Sequence, residues 1–259
     1  MATLPKVRKA ELAPSKKAGG AVAVMSKQDT DVTDQGADED ASLRVHAAWE
    51  AIRDDILSGN LAPSTRLRIS MLNKKYSIGA SPLREALSRL VSENLVVAVD
   101  RRGFMVTPMS VSDFRDLTNM RKLLEKEALR LSFQHGGERW EADLVAAFYR
   151  MGRVQERLDA GDPSTLAEWE VLNREYHDKL VSACGSEWLM RTRENVYVCA
   201  ERYRRICLSI RNVPRDVTKE HKQILDAAID RDVPKVHKLI DEHLERTFQK
   251  VAESGKLPN

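Results

Sequence analysis

The sequence has few cysteines and few aromatic residues, and it lacks a long apolar run. The three cysteines, Cys184, Cys199 and Cys207, are odd in number and lack C-x-x-C spacing, which argues against a disulfide framework and a thiolate zinc site. The longest apolar run near the start, residues 21 to 25, is too short for a signal peptide or a membrane span. We therefore predict a cytoplasmic protein with no membrane partner.

An excess of charge of one sign is also missing. The 42 lysines and arginines against 39 aspartates and glutamates leave a net charge of +3, which does not by itself indicate a polyanion partner. With 259 residues, 42% hydrophobic and 31% charged, the chain is predicted to form two mostly helical domains. The distribution of charge along the chain must then be the informative feature.

The pattern along the chain predicts four segments. Residues 1 to 41 carry a basic and then an acidic stretch without an apolar period, which is typical of a disordered tail. Residues 42 to 109 are predicted to form one small domain, residues 110 to 253 an all-α helical bundle, and residues 254 to 259 a short tail. We assign no function to either tail.

The small domain has the element order of a winged helix-turn-helix, a unit that presents its third helix to the DNA major groove. Ser81 is predicted to cap that third helix, with Pro82 at its first position. The predicted elements are a helix from Leu43 to Gly59-Asn60, a helix over 69–76, a helix over Pro82–Glu93, and a hairpin of Leu95–Val99 and Phe104–Pro108 around Asp100-Arg101-Arg102-Gly103.

Positive residues are concentrated on the surfaces of this domain that would face a duplex. Phosphate neutralisation dominates affinity for DNA, so these residues are the candidate contacts. On charge alone, a solvated helix face is an equal alternative. The candidate DNA-binding residues are Arg68, Ser81, Arg84, Arg89, Arg101, Arg102 and Gly103.

The third helix also carries a family signature. Residues 43 to 108 resemble the N-terminal domain of GntR-family transcriptional regulators, whose signature is approximately V-S-R-T-P-V-R-E-A-L-x-x-L; this chain has Ile78-Gly79-Ala80-Ser81-Pro82-Leu83-Arg84-Glu85-Ala86-Leu87, then Leu90. The resemblance implies that Arg84 contacts DNA and that the wing, Arg101-Arg102-Gly103-Phe104, reaches the minor groove or the backbone. Ala80 replaces an arginine that commonly reads a guanine, so the usual operator sequence is not implied.

Polar residues in the helical segment could converge on one interior point. Asn173 and His177 are four residues apart and therefore share a helix face. His221 and His243 each lie 11 residues from the turn at Asp232, so antiparallel arms would bring them to the same height. Imidazole and oxygen ligands suit zinc, nickel or manganese. From spacing alone, ordinary hydrogen-bonded histidines are the stronger alternative.

The helical segment resembles the FCD class of effector domains, found in FadR-type members of the family, whose R-x-x-L-E motif matches Arg121-Lys122-Leu123-Leu124-Glu125. Many members bind a divalent metal through an Asp-x-x-x-His pair and two later histidines. The resemblance implies that His177, His221 and His243 bind a metal ion, with Asn173 at the aspartate position, where the lost charge should weaken the site. Arg121 would then receive a carboxylate effector; a surface salt bridge with Glu125 is the alternative.

Within this class the chain is similar to glutarate-responsive repressors of the CsiR type. The resemblance implies a repressor that leaves its operator when a C4 to C5 dicarboxylate binds. Because one winged helix buries too little surface for tight specific binding and two-fold symmetry is the commonest arrangement, we predict a homodimer on an inverted repeat. Two alternatives are a metal-dependent hydrolase with an accessory winged helix, which lacks an evident general base, and a DNA-packaging protein. The stretches that carry the similarity are Leu67-Arg68-Ile69-Ser70-Met71-Leu72, Gly136-Gly137-Glu138-Arg139-Trp140-Glu141-Ala142-Asp143, Ala183-Cys184-Gly185-Ser186 and Arg202-Tyr203-Arg204.

Overall fold

The computed structural model describes residues 31–100, 103–208 and 215–258. Its elements confirm the predicted mostly helical fold class, and the stretch from Ala41 onwards forms a unit of its own. The elements are α1 Asp31–Ser58, β1 Arg66–Leu67, α2 Ile69–Tyr76, α3 Ala80–Ser92, β2 Val96–Val99, β3 Gly103–Val106, α4 Val111–His135, α5 Glu138–Asp159, a 3-10 turn Pro163–Thr165, α6 Leu166–Val181, α7 Glu187–Leu208, α8 Val217–Ile229 and α9 Val233–Ala252.

The start of the first helix and the extent of the described residues limit what the structure says about the predicted tail and wing. α1 begins at Asp31, before Leu43, where the apolar period starts. Residues 1 to 30 of the predicted tail and both Arg101 and Arg102 of the predicted wing lie outside the described residues. The domain limits at residues 42, 109 and 253 stay predictions.

A small antiparallel sheet follows the three N-terminal helices, in the order β1-β3-β2. β2 pairs with β3 from Val96 opposite Val106 to Val99 opposite Gly103, which is the predicted hairpin. Gly103 has φ +86°, a left-handed conformation that glycine adopts without steric cost. The two-residue strand β1 was not predicted, because two residues are too few to show an alternating pattern.

The predicted start of the third helix is wrong. α3 begins at Ala80 with Gly79 as its N-cap, and no side chain caps it, so Ser81 is its second residue and Pro82 its third. The first four backbone N–H groups of a helix have no intrahelical acceptor, so proline is tolerated throughout the first turn. The boundary is set by Leu83, whose N–H donates to the Gly79 carbonyl at 3.3 Å.

The apolar faces of these first helices bury one core, and helices of the bundle bury another. In the first, leucines of α2 and α3 pack with α1 and the sheet. In the second, α4, α5, α6, α8 and α9 supply the apolar residues. In the part of the chain that the structure describes, no helix is long and apolar enough to cross a membrane.

Helix α7 touches both cores. Val198 is buried within the apolar cluster of the N-terminal elements. Cys199 Sγ donates to the Glu93 carbonyl at 3.4 Å, and Arg202 Nη2 donates to the Thr107 carbonyl at 2.8 Å. Helix α7 therefore lines the interior of the helical bundle and also connects the bundle to the winged helix.

We expect Leu87→Ala to lower the unfolding free energy of the winged helix by about 2–5 kcal/mol, because Leu87 is 0% exposed and its removal leaves a cavity. Hydrogen exchange of α3 peptides measures this. Leu43→Ala is the matched control, since Leu43 is 68% exposed and the same truncation should change stability by less than about 0.5 kcal/mol. Equal protection of α3 in both variants would contradict the core assignment.

Candidate functional site

Three histidines from three helices meet in the interior of the bundle. Their ligand nitrogens all lie within 4.8 Å of one another, and His177, His221 and His243 are 4%, 1% and 8% exposed. The ring centroids of His221 and His243 are 4.9 Å apart. The ring centroid of His177 lies 5.2 Å from that of His221 and 5.4 Å from that of His243. The convergence predicted from spacing is therefore present in the fold.

The positions of these histidines follow from the local structure of their helices. Asp216 and Asp232 begin α8 and α9, and each carboxylate accepts a hydrogen bond from the backbone N–H three residues later. The α8–α9 hairpin thus has defined ends, which fixes the heights of His221 and His243. Tyr176 Oη donates to the His221 carbonyl at 2.8 Å and joins α6 to α8 beside His177.

Burial favours the neutral form of all three imidazoles. Burial lowers the pKa of His177 and of His221 well below the ordinary value, and each is also lowered by neighbouring histidines. Burial lowers the pKa of His243 as well, although the nearby Glu220 acts against it. A neutral imidazole offers a lone pair, which is the form that can bind a metal ion.

A second layer of residues orients His243. Its Nδ1 donates to Glu220 Oε2 at 2.8 Å, and Arg215 Nη2 donates to the same oxygen at 2.7 Å. Burial alone would raise the pKa of Glu220, but the hydrogen bonds from His243 and Arg215 hold it well below its ordinary value. The ionised Glu220 keeps the proton of His243 on Nδ1, so Nε2 carries the lone pair.

The bundle interior contains buried polar atoms without a protein partner. Within the described residues, His221 Nε2, Asn173 Nδ2 and Arg121 Nε make no hydrogen bond. An unpaired buried polar group costs free energy, so a cluster of them is the usual sign of a site for a ligand, ion or water. Asn173 and His177 lie on one face of α6, as predicted, and both are buried.

Arg121 is also part of this interior. It is 8% exposed, and its Nη2 lies 3.5 Å from Glu125 Oε1, so the ion pair with Glu125 exists but is buried and not on the surface. Its guanidinium carbon lies 4.9 Å from the centroid of the Tyr197 ring. Because Glu125 also accepts from Arg193 Nε at 2.9 Å, Arg121 is not the only cation that neutralises it.

Sequence reasoning missed Tyr197 and the arginines around it. The guanidinium carbons of Arg174, Arg193 and Arg204 lie 5.5, 5.3 and 5.0 Å from its ring centroid, and its buried hydroxyl has no partner among the described residues. Arg193, Tyr197 and Arg204 recur at i, i+4 and i+11 of α7, which places them on one helix face. This spacing in the sequence could have indicated that α7 has a polar face in the bundle interior.

The candidate DNA-binding side chains that the structure describes are exposed. Two side-chain hydrogen bonds hold the helix-turn-helix in place. Tyr76 Oη donates to Asp55 at 2.6 Å, and Asn73 Nδ2 donates to the Ile78 carbonyl at 2.9 Å. The guanidinium of Arg89 lies 5.2 Å from the Trp49 ring centroid, so it packs against α1. The exposed candidates are Arg68, Ser81, Arg84, Arg89 and Gly103.

The fold and these features define a winged helix joined to a helical bundle with a polar interior. The model of the FCD domain matches residues 116–246, and the model described as bacterial regulatory proteins, gntR family, matches residues 45–106. The chain belongs to the GntR family and carries an FCD domain. It is a DNA-binding transcriptional regulator and not an enzyme, so the hydrolase alternative is set aside.

Three similar proteins illustrate the extent of the match. The HTH-type transcriptional regulator BphR of Paraburkholderia xenovorans (strain LB400) is 38% identical, over 82% of this chain and 87% of its own length. The HTH-type transcriptional repressor GlaR of Escherichia coli (strain K12) is 34% identical, over 74% and 89%. The structure of E. coli McbR/YncC, 18% identical, gives a TM-score of 0.65 over 81% and 97%, which supports the fold alone.

Proposed function

We propose that the protein is a homodimeric repressor that a small carboxylate, a C4 to C5 dicarboxylate such as glutarate, releases from its operator. The observation that carries this proposal is the set of buried histidines and arginines, with unpaired donors, inside the FCD bundle. Repression is supported by the 34% identical relative, which is named a transcriptional repressor. The similarity to glutarate-responsive repressors supports the dicarboxylate.

The donor set of the interior fits a divalent metal ion. His177, His221 and His243 would hold it, with zinc favoured and nickel or manganese as alternatives, since neutral imidazoles suit these metals. Asn173 would offer an amide oxygen in place of a carboxylate, which gives a less negative ligand set. When bound, the ion would supply a fixed positive charge that attracts a carboxylate.

The charges in the interior favour an anionic effector. Arg121 shares its carboxylate partner Glu125 with Arg193, which lies closer to Glu125, at 2.9 Å, than Arg121 does, at 3.5 Å, so Glu125 offsets the charge of Arg121 only in part. Arg121 Nε is an unpaired buried donor, and a guanidinium fork binds a carboxylate through two parallel hydrogen bonds. We therefore assign to Arg121 the recognition of the effector.

The operator contacts require two copies of the chain. One winged helix buries too little surface for nanomolar specificity, and closed two-fold symmetry is the commonest oligomeric arrangement, so we infer a dimer on an inverted repeat. Repositioning the two recognition helices by a few ångströms is enough to prevent both from entering their grooves. The proposed contacts are Arg68, Ser81, Arg84, Arg89, Arg101, Arg102 and Gly103.

Arg84→Ala is expected to weaken operator binding at least about tenfold, in line with the ~1–3 kcal/mol of one good base or phosphate contact. A gel shift on the fragment footprinted upstream of the gene measures the affinity. Arg130→Ala is the control, because Arg130 is an exposed arginine of α4 paired with Glu127. Unchanged affinity in Arg84→Ala would reject α3 as the recognition helix.

The His221→Ala, His243→Ala double variant is expected to lose both bound metal and stabilisation by Zn²⁺. An ion that binds only the folded state at about 100 times its Kd stabilises the wild type by about 2.7 kcal/mol. Elemental analysis and melting with added Zn²⁺ give the two readouts. His46→Ala, an exposed histidine of α1, is the control. Full metal occupancy in the double variant would remove the histidine site.

Arg121→Ala is expected to leave operator affinity intact and to abolish release by glutarate, because Arg121 lies inside the bundle and Glu125 retains Arg193 as its partner. Calorimetry with a panel of dicarboxylates, followed by gel shifts, measures both. Thermodynamic linkage provides a check. If the effector weakens operator binding by some factor, operator DNA must weaken effector binding by the same factor. Equal effector affinity in wild type and variant would remove Arg121 from the site.

A further inference from the structure

A separate pocket lies where the winged helix meets α7. Its volume is about 300 Å³, and its lining includes Asn94 and Thr107 of the winged helix, Leu117 of α4, and Asn195, Val196 and Arg202 of α7. None of the three clustered histidines lines it. The pocket is therefore distinct from the bundle interior, although both are formed in part by α7.

Arg202 is the unusual group of this pocket. It is 7% exposed, and among the described residues its guanidinium donates one hydrogen bond, from Nη2 to the Thr107 carbonyl. No carboxylate oxygen of a described residue lies within 4.0 Å of its nitrogens. The buried Arg121 and Arg193, by contrast, each have a glutamate partner.

Apart from the Nη2 bond to Thr107, the guanidinium nitrogens of Arg202 have no partner among the described residues and are not enclosed, so they are open to the pocket. A guanidinium in this position can donate to an anion that enters the pocket. Asp113 also lines the pocket, but its carboxylate is exposed and accepts a hydrogen bond from Tyr203 Oη. Burial lowers the pKa of Arg202 and the charge of Asp113 acts against this, but Asp113 forms no hydrogen bond or ion pair with Arg202. Arg202 therefore keeps N–H groups available for an acceptor other than the described residues.

The rest of the lining indicates what kind of acceptor fits. Leu117 and Val196 form an apolar wall, while Asn94 and Asn195 carry amides that make no side-chain hydrogen bond to a described residue. A planar carboxylate matches the guanidinium fork, and an apolar body matches the wall. The volume is enough for a small organic acid.

We propose that this pocket is a second anion site, in which Arg202 binds the carboxylate of a small monocarboxylic acid with an apolar body. The bound acid contacts the winged helix at Asn94 and Thr107 and α7 at Arg202 and Asn195. It therefore stabilises the junction through which the bundle holds the DNA-binding elements. The site does not depend on the metal or on the effector assigned to the bundle interior.

Calorimetric titration of the full chain with benzoate and with butyrate tests the site. Wild type is expected to bind at least one of them, and Arg202→Met to bind it at least about tenfold more weakly, since the variant loses the charged hydrogen-bond donors that face the carboxylate. Arg191→Met, an exposed arginine of the same helix, and Arg121→Ala, in the bundle interior, are both expected to bind as wild type does.

Val196→Phe provides an independent variant if Arg202→Met does not fold, because it fills the pocket and keeps the Arg202–Thr107 hydrogen bond; it is expected to lose the acid. Binding of neither acid to wild type, or undiminished binding in the folded pocket variant, would overturn the proposal. If Arg121→Ala loses binding of the acid while Arg202→Met keeps it, the acid binds in the bundle interior instead. A failure to bind glutarate or zinc concerns only the interior site.

Discussion

The buried ion pair between Arg193 of α7 and Glu125 of α4 is the interaction on which the bundle interior depends. Arg193 also donates to Asp178 at 2.7 Å and to the His177 carbonyl at 3.1 Å, so one guanidinium joins α4, α6 and α7. Buried charges are tolerated only when they are paired and hydrogen-bonded, which restricts these helices to one arrangement. That arrangement sets the height of His177 opposite the α8–α9 hairpin.

Around this pair the interior combines neutral imidazoles with charged arginines. Desolvation keeps the histidines neutral, whereas guanidinium groups stay charged even when buried. The result is a polar interior that contains imidazole nitrogens and guanidinium N–H donors, with Arg121 beside the ring of Tyr197. Its unpaired polar atoms, among them Arg121 Nε and His221 Nε2, are the observation on which the proposed effector site rests.

Helix α7 contacts both the polar interior of the bundle and the winged helix. Tyr197 faces the polar interior, and the next residue, Val198, is buried in the apolar cluster of the winged helix. Four residues further on, Arg202 holds the carbonyl of Thr107 directly after the wing strand β3. The contacts of α7 therefore connect the polar interior of the bundle directly to the winged helix.

The sequence by itself determined the helices, the hairpin and the set of candidate ligands, because apolar periodicity, glycine and proline act locally; α2 and the Asn173–His177 face agree with those predictions. The start of α3 was misjudged, since proline is tolerated anywhere in a first turn and the register of Leu83 sets the boundary. Only the tertiary structure decided that Arg121 is buried, that Arg193 and Arg204 surround Tyr197, and that Arg202 makes no ion pair with a described residue. Those properties depend on contacts between residues distant in sequence, which no local pattern encodes.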